Sequence, residues 1–294
     1  MRPKPAEEDS EAPQRVEAIL NSVAYRQADQ DVDFLNRYDT RALRLQLDYL
    51  KAELLLEHHR IAHTVVVFGS TRVPEPRSAR ARVELLRQQQ EHDPASPEIR
   101  RRLAVAERIA DKSSYYEVAR ELGALVGRAG EAREGGRIVI MTGGGPGLME
   151  AANRGAFDVQ AKSVGLNVSL PHQQYPNPYI TPDLCFRFHY FALRKLHFLL
   201  RAKALVVFPG GYGTLDELFE TLTLIQTHKI DALPITLVGE AFWRRAVDFE
   251  FLVAEGVIEE EDRELFSFAE SAQEIWEGIL RWHELNGSPL LPPG

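Results

Sequence analysis

Short apolar runs alternate with stretches of helical periodicity along most of the chain. Five runs are predicted strands, at 64–68, 137–141, 163–167, 204–208 and 234–238. Continuous apolar runs of this length are typical of strands buried on both faces of a parallel sheet. Apolar residues at three- and four-residue steps predict helices at 115–129, 147–160, 190–202, 214–228, 241–254 and 271–285. This alternation predicts a doubly wound, Rossmann-like α/β fold with a parallel sheet.

The chain before the first strand has a different pattern. Residues 1–14 lack any apolar period, whereas leucines and aromatics from Phe34 to Leu54 recur at helical steps and predict a helix over 31–60. We therefore expect an N-terminal helical extension ahead of a single α/β domain. The predicted divisions are a mobile tail at 1–30, a helix at 31–62, the Rossmann-like domain at 63–286 and a C-terminal tail at 287–294.

A charged segment at about 73–112 interrupts the alternation after the first strand. With Arg72 included, it holds ten basic and seven acidic residues. We predict a helical hairpin or a partly mobile insertion. A solvated charged face is the favoured interpretation of such a segment, and a partner-binding or regulatory surface is the alternative.

Composition narrows the class of protein. With 294 residues, 44% hydrophobic and 27% charged, the chain is globular. Its net charge of −8 argues against a dedicated nucleic-acid-binding protein, which normally has a basic excess. The single cysteine, Cys185, excludes an internal disulfide or a cysteine-based zinc cluster. Because no apolar run is long enough for a membrane span or a signal peptide, we expect a cytoplasmic protein without membrane contact.

Two glycine-rich segments follow predicted strands and open predicted helices. The first is G-G-G-P-G-L-M-E at 143–150, and the second is P-G-G-Y-G-T-L-D-E at 209–217. Glycines let the backbone approach a ligand closely, and a helix N-terminus offers unpaired N–H groups to an anion. The first segment matches neither the dinucleotide fingerprint nor the Walker A loop. Two such turns facing one crevice would hold a phosphate, with space for a sugar and a base.

Residues Thr214 and Glu217 allow two interpretations. Their spacing is that of a capping box, in which Thr214 is the N-cap and Glu217 binds back to its amide. The carboxylate of Glu217 would alternatively be a catalytic group. From the spacing alone, both interpretations stay open.

Three segments together resemble one family. They are G-G-G-P-G-L-M-E-A-A-N-R-G-A at 143–156, R-K at 194–195 and P-G-G-Y-G-T-L-D-E-L at 209–218. They resemble the LONELY GUY family, nucleoside 5′-monophosphate phosphoribohydrolases long described as lysine decarboxylase-like. The resemblance runs from about Val65 to about Val257. It implies that Arg194 and Glu217 are the catalytic pair. It also implies substrate contacts at Gly69, Ser70, Gly143, Gly144, Gly145, Gly147, Met149, Lys195, Gly210, Gly211, Gly213, Thr214 and Asp216.

The resemblance implies hydrolysis of the N-glycosidic bond of AMP or an N6-modified AMP, such as a cytokinin riboside 5′-monophosphate. No metal or organic cofactor is needed for that reaction, and a homodimer or a higher homo-oligomer is typical of the family. Short members carry a glutamate in the loop after the third strand, where this chain has Gln173 and Gln174. Base preference therefore stays open.

Two alternatives differ in chemistry. A lysine decarboxylase would hold pyridoxal phosphate on a lysine, and the candidates are Lys162, Lys195, Lys203 and Lys229, without a supporting motif. A non-catalytic nucleotide or cofactor carrier of the same fold would keep the glycines without needing Arg194 and Glu217. The presence of both residues favours the enzyme.

Overall fold

The computed structural model describes residues 4–130, 137–169 and 175–291. Within them, seven strands form one sheet, and all strand pairs are parallel. The strands are β1 (Ile61–Phe68), β2 (Arg137–Thr142), β3 (Ser163–Val168), β4 (Cys185–Phe188), β5 (Ala202–Val207), β6 (Ile235–Val238) and β7 (Phe266–Ala269). The predicted doubly wound α/β fold is confirmed.

Helices lie before, between and after the strands. They are α1 (Ala12–Leu20), α2 (Val32–Leu35), α3 (Arg41–His58), α4 (Pro76–His92), α5 (Pro97–Asp111), α6 (Ser114–Gly130), α7 (Leu148–Asp158), α8 (Phe191–Leu200), α9 (Tyr212–Gln226), α10 (Glu240–Ala246), α11 (Phe249–Ala254) and α12 (Ala272–Leu285). The charged insertion is a helical hairpin, α4–α5. The helix predicted over 241–254 is two helices, because Asp248 caps α11 through the Phe251 amide. None of the described helices has both the length and the apolar character that a bilayer crossing requires.

The five predicted strands are all present, and almost every residue in them is buried. In β1, Val66 and Phe68 pack on one side of the sheet, and Val65 and Val67 pack on the other. Sequence reasoning missed β4 and β7, the two edge strands. Each has only four residues. In β4, partly exposed or exposed positions alternate with buried ones, and in β7 only Ala269 is buried, so neither strand forms a continuous buried run.

Residues Met1–Lys51 and Ala52–Gly294 form two compact units. In the first unit, α1 lies within the segment expected to be a tail. The helix predicted over 31–60 is wrong at its start, because the chain is extended at Arg37 and α3 begins at Arg41. The Thr40 hydroxyl donates to the Arg37 carbonyl at 2.9 Å and stabilises this break.

The strand order β4-β3-β2-β1-β5-β6-β7 places a reversal between β1 and β5. From β1 the chain moves outward through β2, β3 and β4, and then returns to add β5 on the other side of β1. The Ser70 amide donates to the Pro209 carbonyl at 3.0 Å and ties the two strand ends together. In open parallel sheets, such a reversal opens a crevice at the carboxyl ends of the strands, where ligands bind.

Candidate active site

A cavity of about 580 Å³ lies at this reversal. The loops after β1 and β2, the end of β3, helix α8 and the start of α9 supply its walls. The lining residues are Phe68, Gly69, Ser70, Thr71, Arg72, Gly143, Met149, Asn167, Val168, Phe191, Arg194, Gly211, Tyr212, Gly213, Thr214 and Glu217. This volume suits a nucleotide-sized ligand, since small-molecule sites span about 300–1,000 Å³.

The second glycine turn is open toward the cavity. Helix α9 begins at Tyr212, with Gly211 as its N-cap. Within the described residues, no hydrogen bond is recorded for the amides of Tyr212 and Gly213. A Cβ added at Gly211 or Gly213 would meet no atom within 4 Å. Free amides at the start of a 15-residue helix suit a phosphate, because the helix dipole also favours an anion there.

The capping-box interpretation of Thr214 and Glu217 is wrong. Because the chain enters α9 at Gly211, Thr214 lies inside the first turn and is not the N-cap. The Thr214 side chain instead packs on Gly210, where an added Cβ would lie 2.1 Å from its Oγ1. Glu217 is therefore available for another role.

The first glycine turn is packed against its surroundings. Gly147 has φ +76°, and an added Cβ would lie 2.4 Å from the Ser70 carbonyl oxygen. Gly144 has φ +73° and contacts the Asn167 side chain in the same way. At Gly143, a Cβ would lie 2.6 Å from Nη2 of Arg194. The absence of a side chain at Gly143 therefore makes room for the Arg194 guanidinium.

Arg194 is held rigidly on α8. Its Nε donates to the Leu166 carbonyl at 2.6 Å, and its guanidinium lies 4.9 Å from the centre of the Phe198 ring. Its side chain is only 13% exposed. Burial lowers the pKa of Arg194 from its usual high value, and the nearby Glu217 opposes that effect. The result is a fixed, desolvated positive charge in the cavity wall.

Glu217 lies opposite Arg194 on α9. One carboxylate oxygen is 3.9 Å from Nη1 of Arg194, and the other is 3.8 Å from Nζ of Lys195. Both distances exceed a hydrogen bond, so the groups interact through charge and leave the carboxylate free to bind a ligand or water. Burial raises the pKa of Glu217 to about 7, although Lys195 and Arg194 act to lower it. A carboxyl group with that pKa exchanges protons readily at neutral pH.

Lys195 stabilises the same wall from behind. Its Nζ lies 2.8 Å from carboxylate oxygens of both Asp216 and Glu220. Burial lowers the pKa of Lys195, but these hydrogen bonds outweigh that effect, and the pKa is raised overall. A lysine that forms a Schiff base needs a lowered pKa to present a neutral amine. Lys195 therefore does not fit the pyridoxal phosphate alternative.

The predicted site residues divide into two groups. Those lining the cavity are Gly69, Ser70, Gly143, Met149, Arg194, Gly211, Gly213, Thr214 and Glu217. Those packed behind it are Gly144, Gly145, Gly147, Lys195, Gly210 and Asp216, which shape the turns or surround Glu217. Sequence reasoning missed Arg72 and Asn167, which also line the cavity. Arg72 follows the first predicted strand and Asn167 ends the third, and their position at strand ends could have identified them. Gln173 and Gln174 lie outside the described residues.

Comparison with known proteins finds similar sequences. A family described as "possible lysine decarboxylase" matches residues 149–279. Rice (Oryza sativa subsp. japonica) cytokinin riboside 5′-monophosphate phosphoribohydrolase LOG is 30% identical over 168 residues, which cover 56% of this chain and 65% of that protein. LOG1 of Arabidopsis thaliana is 31% identical over 172 residues, which cover 56% of this chain and 75% of that protein.

Two solved structures are also similar. One is the X-ray structure of TM1055, at 18% identity, covering 74% of this chain and 99% of that chain with a TM-score of 0.45. The other is the Moco carrier protein of Chlamydomonas reinhardtii, at 15% identity. It covers 76% of this chain and 98% of that chain, with a TM-score of 0.44.

The protein is of the α/β class, and its nucleotide-sized cavity, the cleft, lies where the strand order of the parallel sheet reverses. The matched relatives carry the name phosphoribohydrolase. The chain belongs to the LONELY GUY (LOG) family.

Proposed function

We propose that the protein hydrolyses the N-glycosidic bond of a nucleoside 5′-monophosphate and releases the free base and ribose 5-phosphate. The proposed substrate is AMP or an N6-modified AMP, such as the cytokinin riboside 5′-monophosphates that name the relatives. The observation that carries the proposal is the buried Arg194–Glu217 pair beside an open glycine turn. The predicted cytoplasmic location and homo-oligomer are part of the same proposal.

The second glycine turn supplies the phosphate site. The amides of Tyr212 and Gly213 and the Thr214 hydroxyl bind the 5′-phosphate at the start of α9, since this turn is open to the cavity. Binding there fixes the ribose against Glu217, five residues further into the same helix than Tyr212. Fixing a substrate in this way contributes several kcal/mol to catalysis.

Glu217 acts on the sugar. As the bond from the anomeric carbon to the base breaks, positive charge develops on the sugar, as in glycoside hydrolysis. The Glu217 carboxylate stabilises that charge and accepts a proton from the attacking water, whose oxygen bonds to the anomeric carbon. The departing base takes up a proton from solvent, and Glu217 returns the water's proton to solvent, so one water is consumed for each bond broken. Arg194 keeps Glu217 oriented and holds substrate oxygens with its planar guanidinium.

Incubation of the purified protein with AMP, followed by chromatography of adenine and ribose 5-phosphate, tests the proposal. Glu217→Gln and Arg194→Ala are each expected to lower the rate by about a thousandfold, because each removes a charge that stabilises the transition state.

Glu284→Gln and Arg281→Ala are the matched controls. Both residues are exposed on α12, which contributes nothing to the cavity lining, and both variants should keep the wild-type rate. Wild-type protein that binds AMP but releases no base from it, or from N6-prenyl AMP, GMP, CMP or UMP, would overturn the proposal and favour a carrier.

A further inference from the structure

The α4–α5 hairpin forms a second cavity beside the cleft, with a volume of about 400 Å³. Arginines and apolar side chains line it, and no acidic residue does. The lining residues are Arg72, Pro74, Ala79, Arg82, Leu86, Arg101, Arg102, Val105, Ala106 and Ile109. Arg72 lines both this hairpin cavity and the cleft.

The arginines of the hairpin cavity are largely unopposed. Within the described ranges, the guanidinium groups of Arg72, Arg82 and Arg102 form no hydrogen bond or ion pair. The carboxylates closest to them in sequence are Glu75, Glu84 and Glu98, and each already has a partner. Glu84 accepts a hydrogen bond from the Gln88 side chain at 3.1 Å. Glu75 binds Arg154 at 3.0 Å, and Glu98 binds Arg101 at 3.0 Å. The cavity therefore concentrates positive charge that the protein itself does not neutralise.

This local concentration contrasts with the net charge of the whole chain, which is −8. All four arginines are solvent-exposed, so solvent screens their mutual repulsion, and their combined positive potential attracts an anion. Guanidinium groups bind phosphate oxygens through two parallel hydrogen bonds, so several arginines suit a ligand with several phosphates. Leu86, Val105 and Ile109 add an apolar wall, which suits a planar ring.

We propose that the hairpin cavity binds a nucleoside polyphosphate as a second ligand, separate from the substrate in the cleft. Its phosphates bind Arg82 and Arg102, and Arg72 joins them from the loop after β1. Because Arg72 also faces the cleft, the second ligand competes with the substrate for this guanidinium. Binding at one site then weakens binding at the other by the same factor.

Calorimetric titration of the full-length protein with ATP and with tripolyphosphate tests the site directly. Arg82→Ala/Arg102→Ala should weaken ATP binding at least about tenfold, which is roughly 1.4 kcal/mol. The matched control is Arg80→Ala/Arg108→Ala, which removes the same charge from the same two helices. Neither Arg80 nor Arg108 lines the hairpin cavity, so this control should bind ATP like the wild type.

Three results would overturn the proposal. They are no binding of ATP or tripolyphosphate by the wild type, equal loss of binding in both double variants, and full binding by Arg82→Ala/Arg102→Ala. Adenosine, which lacks phosphate, should bind at least about tenfold more weakly than ATP. These binding results stand whether or not the cleft hydrolyses AMP.

Competition through Arg72 rests on the proposed function and has its own test. ATP should raise the KM for AMP in the wild type and in Arg80→Ala/Arg108→Ala. In Arg82→Ala/Arg102→Ala, the KM should not respond to ATP at the same concentration. An equal response in all three proteins would show that ATP competes inside the cleft itself.

Discussion

The two glycine turns have similar sequences and different tasks. In the first turn, an added Cβ at Gly144 or Gly147 would collide with neighbouring atoms, and both residues have positive φ. In the second turn, an added Cβ at Gly211 or Gly213 would meet nothing within 4 Å. The first turn is therefore packed into the protein, whereas the second leaves its backbone open to the cavity.

The two turns therefore have separate roles: the first shapes the site, and the second is open to a ligand. The first turn positions the loop after β1 through Gly147 and leaves space for Arg194 through Gly143. The second turn presents the start of α9 to a ligand and carries Glu217 on the same helix. Substitutions in the two turns should accordingly act on stability in one case and on substrate binding in the other.

The largest effect is expected at the first turn. Gly147→Ala should lower the free energy of unfolding by about 3 kcal/mol, because alanine is strained at positive φ and its Cβ would contact the Ser70 carbonyl. Urea unfolding followed by circular dichroism measures this change. Gly278→Ala is the control, since a Cβ at this α12 position meets nothing within 4 Å. Equal stability of the two variants would contradict the structural role of the first turn.

A smaller and different effect is expected at the second turn. Gly213→Ala should keep the stability of the wild type or raise it slightly, since the helical backbone at this position accepts alanine. The methyl group faces the proposed phosphate site, so the KM for AMP should rise about tenfold, worth roughly 1.4 kcal/mol. Steady-state kinetics and unfolding of the same preparation test both parts. An unchanged KM would show that the phosphate binds elsewhere.

The smallest effect concerns the carboxyl group that the second turn carries. Burial raises the pKa of Glu217 to about 7, and the proposed mechanism uses the carboxylate form. The value of kcat/KM should therefore rise with pH through about 7 and then level off. Lys195→Met removes the positive charge that most lowers this pKa, so the rise should move to higher pH.

The Glu217→Gln variant is the control for this pH profile. It keeps the titration of the substrate phosphate and loses that of the carboxyl group. An unshifted profile in Lys195→Met would mean that another group sets the pH dependence.

Sequence reasoning reached the centre of the sheet because burial there leaves a clear pattern. The strand containing Val65 and Val66 is apolar on both faces, since helices cover both sides. The edge strand Cys185–Phe188 has the exposed Arg187 between buried phenylalanines, so its apolar pattern is short and interrupted. This strand pairs with β3 in the folded sheet, and the local sequence pattern gives no information about that pairing.

The motifs that surround the cavity could be recognised in the sequence, but the individual residues that line it could not all be predicted. The resemblance to the LOG family paired Arg194 with Glu217, and the structure has the two side chains 3.9 Å apart. Motif spacing did not show which glycines face the cavity, because that depends on α9 beginning at Tyr212 and not at Thr214. Arg72 follows β1 and Asn167 lies on β3, and only the sheet order brings these two strand ends to the same cavity.

The reversal in strand order also has a consequence for how the protein acquires its cleft during folding. The pairing of Val65 with Ala204 joins residues about 140 positions apart in the chain, and contacts of such long range slow folding. A ribosome therefore completes β1, the hairpin and three further strands before β5 exists to close the crevice. The proposed nucleotide site is consequently complete only after β5 has been synthesised and has paired with β1.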